Sequence, residues 1–394
     1  MNTQIYRLRN NNKKRRWKFN TYHESAEYNQ LMKFLRSFQE ILNYFRVTYD
    51  LLIPIVMKFQ STPHTLHFKH PFKIAHGTRT STPIVIVKLE YEQHVGYGEA
   101  SMPPYLGESH DSVLAFHEKA KPILLSAAPL ETEVIMKRID ALATGNTAAK
   151  AAIDIALHDL KGKLLNTPNW KLYGGDKTQT PYTTFTLGID TPEIMVEKIQ
   201  EATDFKILKV KLNGIDDKAI ITTIRKHTNK PIAVDVNQGW KSKEGALSMI
   251  EWLANNNVIF VEQPLPKGDW TSMHWLFERS VLPLFADESI QRLGDIEKVK
   301  HCFHGINIKL MKCTGMMEAY QMIRHAREAG LKILMGCMSE TSCAISAAAQ
   351  LTPFVDYADL DGCLLMKNDF FNGIQFIDGK ITLNELPGNG VMLK

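Results

Sequence analysis

Nowhere does this chain offer the roughly 18 consecutive apolar residues that a membrane-spanning helix requires, so a helical membrane protein is not indicated. Cysteine is scarce and poorly spaced for a zinc site or a disulfide framework. There are five, Cys302, Cys313, Cys337, Cys343 and Cys363, an odd number without a Cys-x-x-Cys pair. Reduced, mostly buried thiols in a cytoplasmic protein are the expectation. A one-sided charge is missing as well. Residues 1–56 hold ten of the 47 Lys and Arg and four of the 42 Asp and Glu, which leaves a near-neutral 37 against 38 elsewhere despite the overall +5. The body of the chain therefore presents no nucleic-acid surface.

The first 56 residues stand apart. A basic cluster, Lys13-Lys14-Arg15-Arg16, leads into an aromatic-rich middle and closes on the short apolar run Leu51 to Val56. The segment lacks the apolar core and small-residue cleavage site of a signal peptide. Three readings stay open for it: an extension translated from an early start, a flexible appendage, and a targeting or nucleic-acid tail. Met57 would be a natural first residue of the body.

At 394 residues the chain exceeds what a single core usually serves, so a large and a smaller domain are expected. From Met57 to about Tyr91 the residues alternate as in strands, and Pro83 to Glu90 followed by Glu92 to Gly96 reads as a hairpin. Between about Asp111 and Leu165 the period turns helical, most clearly from Ala148 to Leu160. Residues 57–177 thus read as a small α+β domain. After Gly174-Gly175 strands and helices alternate. Strands are expected at 182–188, 205–212, 231–236, 258–263, 282–287, 305–310, 331–336 and 355–361, with a helix after each of the first seven. One such helix is announced by Thr191 as N-cap and Pro192 at its first position. Eight strands at this spacing, residues 178–369, describe a TIM-type (β/α)8 barrel with its last helix missing or distorted. Residues 370–394 are expected to return to the small domain. An open doubly wound sheet would want a glycine-rich phosphate turn after its first strand, and Leu187 to Pro192 is not one.

Charges inside barrel strands demand a partner or a purpose, since such strands are buried on both faces. Lys209, Lys211, Asp235, Glu262, Asp287, Lys309, Asp359 and Asp361 all fall in or at the C-terminal ends of expected strands, the rim where barrels carry chemistry. Asp235, Glu262 and Asp287 come from neighbouring strands and can converge on one hard cation. With no His or Cys beside them, Mg²⁺ suits them better than zinc. Lys211 and Lys309 lie four staves apart in a ring of eight, facing each other across that site. Two bases on opposite faces of one carbon can remove a proton from one side and return one to the other, with the cation stabilising the intervening enediolate. Lys209, on the same side of its strand as Lys211, offers a like charge that lowers its neighbour's pKa. Asn237 and Gln263 are candidates for orienting the metal ligands, although ordinary loop amides fit their positions equally. Lys312 reads as a solvated loop residue. Thr184, Thr186 and Met338-Ser339-Glu340 are expected to line the pocket.

An ordered set of motifs makes the chain resemble a known family over residues 57–394. They are Gly96-Tyr97-Gly98-Glu99-Ala100, Ala151 to Asp159, Lys209-Val210-Lys211, Asp235-Val236-Asn237, Val261-Glu262-Gln263-Pro264, Ala286-Asp287-Glu288-Ser289 and Asn307-Ile308-Lys309-Leu310. The set resembles the enolase superfamily, in its muconate-lactonizing subgroup, and within it the dipeptide epimerases. The resemblance implies a modified barrel under a capping domain, one Mg²⁺ per subunit on Asp235, Glu262 and Asp287, Lys211 and Lys309 as the acid/base pair, and a supporting electrostatic role for Lys209. Asp359-Leu360-Asp361 matches an Asp-x-Asp that binds the free α-amino group of a dipeptide. Arg79, in Ala75 to Thr80, falls in the family's capping loop, where some members bind the glutamate side chain of Ala-Glu; a solvent-exposed loop arginine fits the position equally. Tyr105 belongs to a second closing loop.

The implied activity is inversion of the α-carbon of a dipeptide's C-terminal residue, L-Ala-D/L-Glu or a relative, in cell-wall peptide recycling. Cycloisomerase, o-succinylbenzoate synthase and N-succinylamino acid racemase reactions remain open on the same barrel, and so does a binding protein acting through residues 1–56. A dipeptide is the expected partner, with neither nucleic acid nor membrane; assembly with copies of itself is left open.

Overall fold

The computed structural model describes residues 56–74 and 77–394, together with Lys33 and Ser37. The chain divides into two units, Met1–Ile55 and Val56–Lys394. The second holds the fold; the basic segment read from the sequence, and Ala75 and His76 of the expected capping loop, lie outside the described residues. Among the described residues no helix is long and apolar enough to cross a membrane.

Three antiparallel strands open the body, β1 (Lys58–Ile74), β2 (Gly77–Tyr91) and β3 (His94–Ser101). The expected hairpin is the β2–β3 pair, turned through Glu92 at φ 53°. Three helices follow: α1 (His110–Leu125), α2 (Thr132–Asp140) and α3 (Thr147–Leu164). The alanine-rich α3 is buried along nearly its whole length and lies directly on β3. Glycine is obligatory at that contact. A Cβ at Gly98 would stand 1.9 Å from the Ala152 carbonyl oxygen, and one at Gly96 would stand 2.3 Å from that of Ala156.

Eight parallel strands then form one sheet in chain order: β4 (Thr184–Leu187), β5 (Ile207–Lys211), β6 (Ile232–Asp235), β7 (Val258–Glu262), β8 (Leu284–Ala286), β9 (Gly305–Ile308), β10 (Lys332–Gly336) and β11 (Tyr357–Asp359). An isolated bridge between Thr183 and Ala358 brings the first stave against the last. Helices follow β4 through β10, starting with α4 (Pro192–Glu201), which begins at the proline expected from the sequence. The helix after β8 is reduced to one turn, Ile296–Val299, and β11 is followed only by the 3-10 turn Gly362–Leu365. Residues beyond 370 form two short antiparallel pairs and return against the small domain, where Asn389 N donates to Asp159 Oδ1 at 2.8 Å.

Side chains two residues apart share a face of a strand. Two residues before Asp235, Glu262 and Asp287 stand Ala233, Phe260 and Phe285, which with Leu334 make a separate buried apolar cluster. The acidic trio therefore rests on an apolar floor inside the barrel. The intervening residues, Val234, Val261 and Ala286, join the main core shared with the helices.

Candidate active site

Asp235 and Glu262 end β6 and β7, and Asp287 lies one residue beyond β8; all three are buried. Each contributes an oxygen to a group whose members lie within 4.8 Å of one another. Gln263 fixes the third member, its Oε1 accepting from the backbone N–H of Asp287 at 3.1 Å and of Ser289 at 3.0 Å. Asn307 Nδ2 donates to Glu262 Oε1 at 2.7 Å. Glu262 Oε2 lies 2.7 Å from Lys209 Nζ as an ion contact without a hydrogen bond, which leaves a lone pair free.

The surroundings act unequally on the three carboxyls. Burial, with Asp235 adding to it, pushes the Glu262 carboxyl up to about 7. Burial acts the same way on Asp235 and Asp287, but Lys211 and Lys209 hold the first below the usual carboxylate range, and Lys309 and Lys312 hold the second well below it. Three convergent oxygens, one of them without a hydrogen bond, fit a hard divalent cation.

Lys211 Nζ donates to Asp235 Oδ2 at 2.6 Å and Lys309 Nζ to Asp287 Oδ2 at 2.7 Å. Strands β6, β7 and β8 separate the two lysines, so their amines reach the trio from opposite ends. Burial would lower Lys309, yet Asp287 and Tyr105 hold it well above its ordinary value. Lys209 is almost wholly enclosed and contacts Glu262 at 2.7 Å, Asp359 at 2.7 Å and Asp235 at 3.3 Å. Beside the supporting electrostatic role expected for it, Lys209 thus bridges three carboxylates, a set of contacts the sequence did not announce. Burial opposes its charge but these carboxylates raise its pKa well above the usual range, so it braces the acidic ring.

Across the barrel mouth, Thr184 Oγ1 donates to Asp359 Oδ1 at 2.6 Å and Thr186 N to Asp361 Oδ2 at 2.6 Å. The two threonines, expected as pocket lining, thus hold the acidic pair in place. Asp361 lies beyond the end of β11, not on it, and the bonds from Thr186 return it to the site. Burial and Asp359 push Asp361 up to about 7. The capping domain closes the rest. Tyr105, although 49% exposed as a residue, donates to Met338 Sδ at 3.3 Å and has Lys309, Asp287, Glu288 and Glu340 as its charged neighbours. Arg79 lies 5.8 Å over the Phe68 ring; its Nη1 is buried without a hydrogen-bond partner, and no carboxylate among the described residues pairs with it.

Residues 58–174 match the N-terminal domain of the mandelate racemase / muconate lactonizing enzyme family, and residues 194–394 match the enolase C-terminal domain-like family. The chain belongs to the enolase superfamily. It is 53% identical over 337 residues to the L-Ala-D/L-Glu epimerase of Bacteroides thetaiotaomicron, a match covering 85% of this chain and 88% of that protein. The substrate-liganded complex of the L-Ala-D/L-Glu epimerase from Bacillus subtilis matches with a TM-score of 0.81 at 31% identity, over 86% of this chain and 99% of the other. A dipeptide epimerase from Cytophaga hutchinsonii, complexed with Mg and the dipeptide D-Ala-L-Val, matches with a TM-score of 0.81 at 28% identity, over 86% and 96%.

In this enolase-superfamily chain one sequence expectation fails outright. Lys312 is no solvated loop residue: it is about 1% exposed, and its Nζ donates to Asp287 Oδ1 at 2.6 Å and to the Asn307 carbonyl at 2.9 Å. The turn after β9 folds back under the strand ends, which periodicity does not reveal. Sequence reasoning also missed Glu288 and Asn307. Asn307 had a usable signal, since it shares a strand face with Lys309.

Proposed function

We propose that this chain is a Mg²⁺-dependent dipeptide epimerase that inverts the α-carbon of the C-terminal residue, with L-Ala-D/L-Glu as the first substrate to test. The observation that carries this reading is the pair of buried lysines, Lys211 and Lys309, reaching one carboxylate trio from opposite sides. Mg²⁺ held by Asp235, Glu262 and Asp287 would stabilise the negative charge that gathers on a substrate carboxylate when its α-proton leaves. Lys211 and Lys309 act as bases on opposite faces of that carbon, one taking the proton and the other returning one. Lys209 keeps the carboxylates from repelling each other apart. Asp359 and Asp361 receive the substrate's ammonium group, and the threonines of β4 fix their orientation. Arg79, a half-buried cation that meets no carboxylate among the described residues, supports an acidic side chain on the substrate. A cytoplasmic setting, with the dipeptide derived from cell-wall peptide, accords with five cysteines that are all free.

Incubating L-Ala-L-Glu with the protein and Mg²⁺ in deuterated solvent tests the reading. Deuterium at the glutamate α-carbon together with product of both configurations is expected. Exchange without inversion would point instead to a lyase or cycloisomerase in which a single lysine moves the proton.

A further inference from the structure

Two acceptors beside the acidic trio have no partner among the described residues: Asn237 Oδ1 and Glu288 Oε2, both buried atoms without a hydrogen bond. The two side chains touch, Asn237 Nδ2 donating to Glu288 Oε1 at 3.3 Å. Because a carboxylate only accepts, that bond fixes the amide with its oxygen turned away from Glu288. Each residue is also anchored to a ligand of the trio. The Asn237 backbone N–H donates to Asp235 Oδ1 at 3.0 Å, and Glu288 directly follows Asp287. Asn237 is 7% exposed and sits at φ 45°, a left-handed conformation that asparagine tolerates better than most residues. The Glu288 carboxylate shares its surroundings with Asp287, Asp235 and Lys309, whose charges act on it.

Placing one more carboxylate beside three others is costly unless a cation balances it. A Mg²⁺-sized ion prefers six oxygens and gives up its waters reluctantly, so three carboxylates leave room for the substrate and for hydration water. The hydrogens of such a water need acceptors in a buried site. Two unpartnered acceptors, joined to each other and to two of the ligands, meet that need.

We infer that Glu288 and Asn237 act together as positioning residues that accept hydrogen bonds from a water in the hydration shell of the divalent ion and so raise its affinity. The inference rests on the metal site proposed above. The test is calorimetric titration of the metal-free full chain with Mg²⁺, alongside thermal unfolding of the metal-free forms. Glu288→Gln and Asn237→Gly should each weaken Mg²⁺ binding about ten- to a hundredfold, as loss of an outer-sphere partner typically does. Glycine suits the positive φ at 237, so that variant removes the amide without backbone strain. Because the two share one water, the double variant should lose little more than the weaker-binding single one. The metal-free unfolding temperature should stay within about 4 °C of wild type, roughly the effect of 1 kcal/mol in a large domain. Wild-type Mg²⁺ affinity in both variants, or fully additive losses, would overturn the inference. If Glu288→Gln destabilises the metal-free chain, Asn237→Gly decides. Asp287→Asn separates the two levels of argument: it should abolish binding, and if it binds Mg²⁺ as wild type does, the metal site itself is misassigned.

Discussion

Charge is handled in opposite ways at the barrel rim and in the capping loops. On the rim Lys209, Lys211, Lys309 and Lys312 each contact a carboxylate of the trio at 2.6 to 2.7 Å. In the cap, Arg79 has no carboxylate partner among the described residues and Tyr105 reaches only a thioether. A charge that is half-buried and left without a counter-charge is costly, and a ligand that supplies one would offset that cost. On the proposed reading the labour divides: the rim, whose lysines each meet a carboxylate, would set which bond is broken, and the cap, whose Arg79 meets none among the described residues, would select what enters.

The largest effects should come from the rim. Lys211→Ala and Lys309→Ala are each expected to lower kcat by about a thousandfold or more, within the range for loss of a positioned base. Each should still exchange the α-proton of one configuration only, read by NMR in deuterated solvent; exchange of both configurations in either variant would break the two-sided picture. Next comes the cation. Chelation should reduce turnover by about a hundredfold or more, several kcal/mol of lost charge stabilisation, with recovery on adding Mg²⁺. Full activity in chelator would leave the trio without a role.

The cap is expected to respond more gently and more selectively. Arg79→Leu should lower kcat/KM for L-Ala-L-Glu about ten- to a hundredfold, the scale of one charged hydrogen bond, and leave a dipeptide ending in an aliphatic residue nearly unchanged. Equal losses on both substrates would make Arg79 a structural residue and erase the contrast.

The smallest effect concerns the joint between the two regions. Glu99 of β3 accepts from the Thr341 and Ala344 backbone N–H groups at the start of the barrel helix Ser342–Ala349. Burial pushes its carboxyl from 4.5 up to about 7. A folded pKa above the unfolded one means that the folded state holds the proton more tightly, so this contribution is present below about pH 4.5 and is lost as pH rises through about 7. Glu99→Gln, which cannot ionise, should therefore gain on wild type by a few degrees in unfolding temperature between pH 5 and pH 8, at roughly 2–4 °C per kcal/mol. A constant difference across that range would show that Glu99 does not titrate there.

Much of the site could be read from the chain because its charges interrupt apolar strands, and a charge in a doubly buried strand is conspicuous. The alternation that marked eight staves also gave the ends where Asp235, Glu262, Asp287, Lys211 and Lys309 stand. Residues outside the strands gave no such signal. Lys312 looked like an ordinary loop lysine, and Asp361 looked like a strand residue when it is a turn residue held by Thr186. Glu99 reaches a helix terminus 242 residues further along the chain.

By itself, then, the sequence determined the period of each element and therefore the barrel, the face on which each charge lies, and the kind of chemistry that carboxylates between two amines permit. Those are local properties, fixed by residue type and spacing along a few turns or pleats. Only the tertiary structure decided which charge compensates which, that Lys209 bridges three carboxylates, and that the acceptors of Asn237 and Glu288 are left over among the described residues. Such pairings depend on distances set by barrel closure and on the loss of water around each group, and neither quantity exists until distant strands have met.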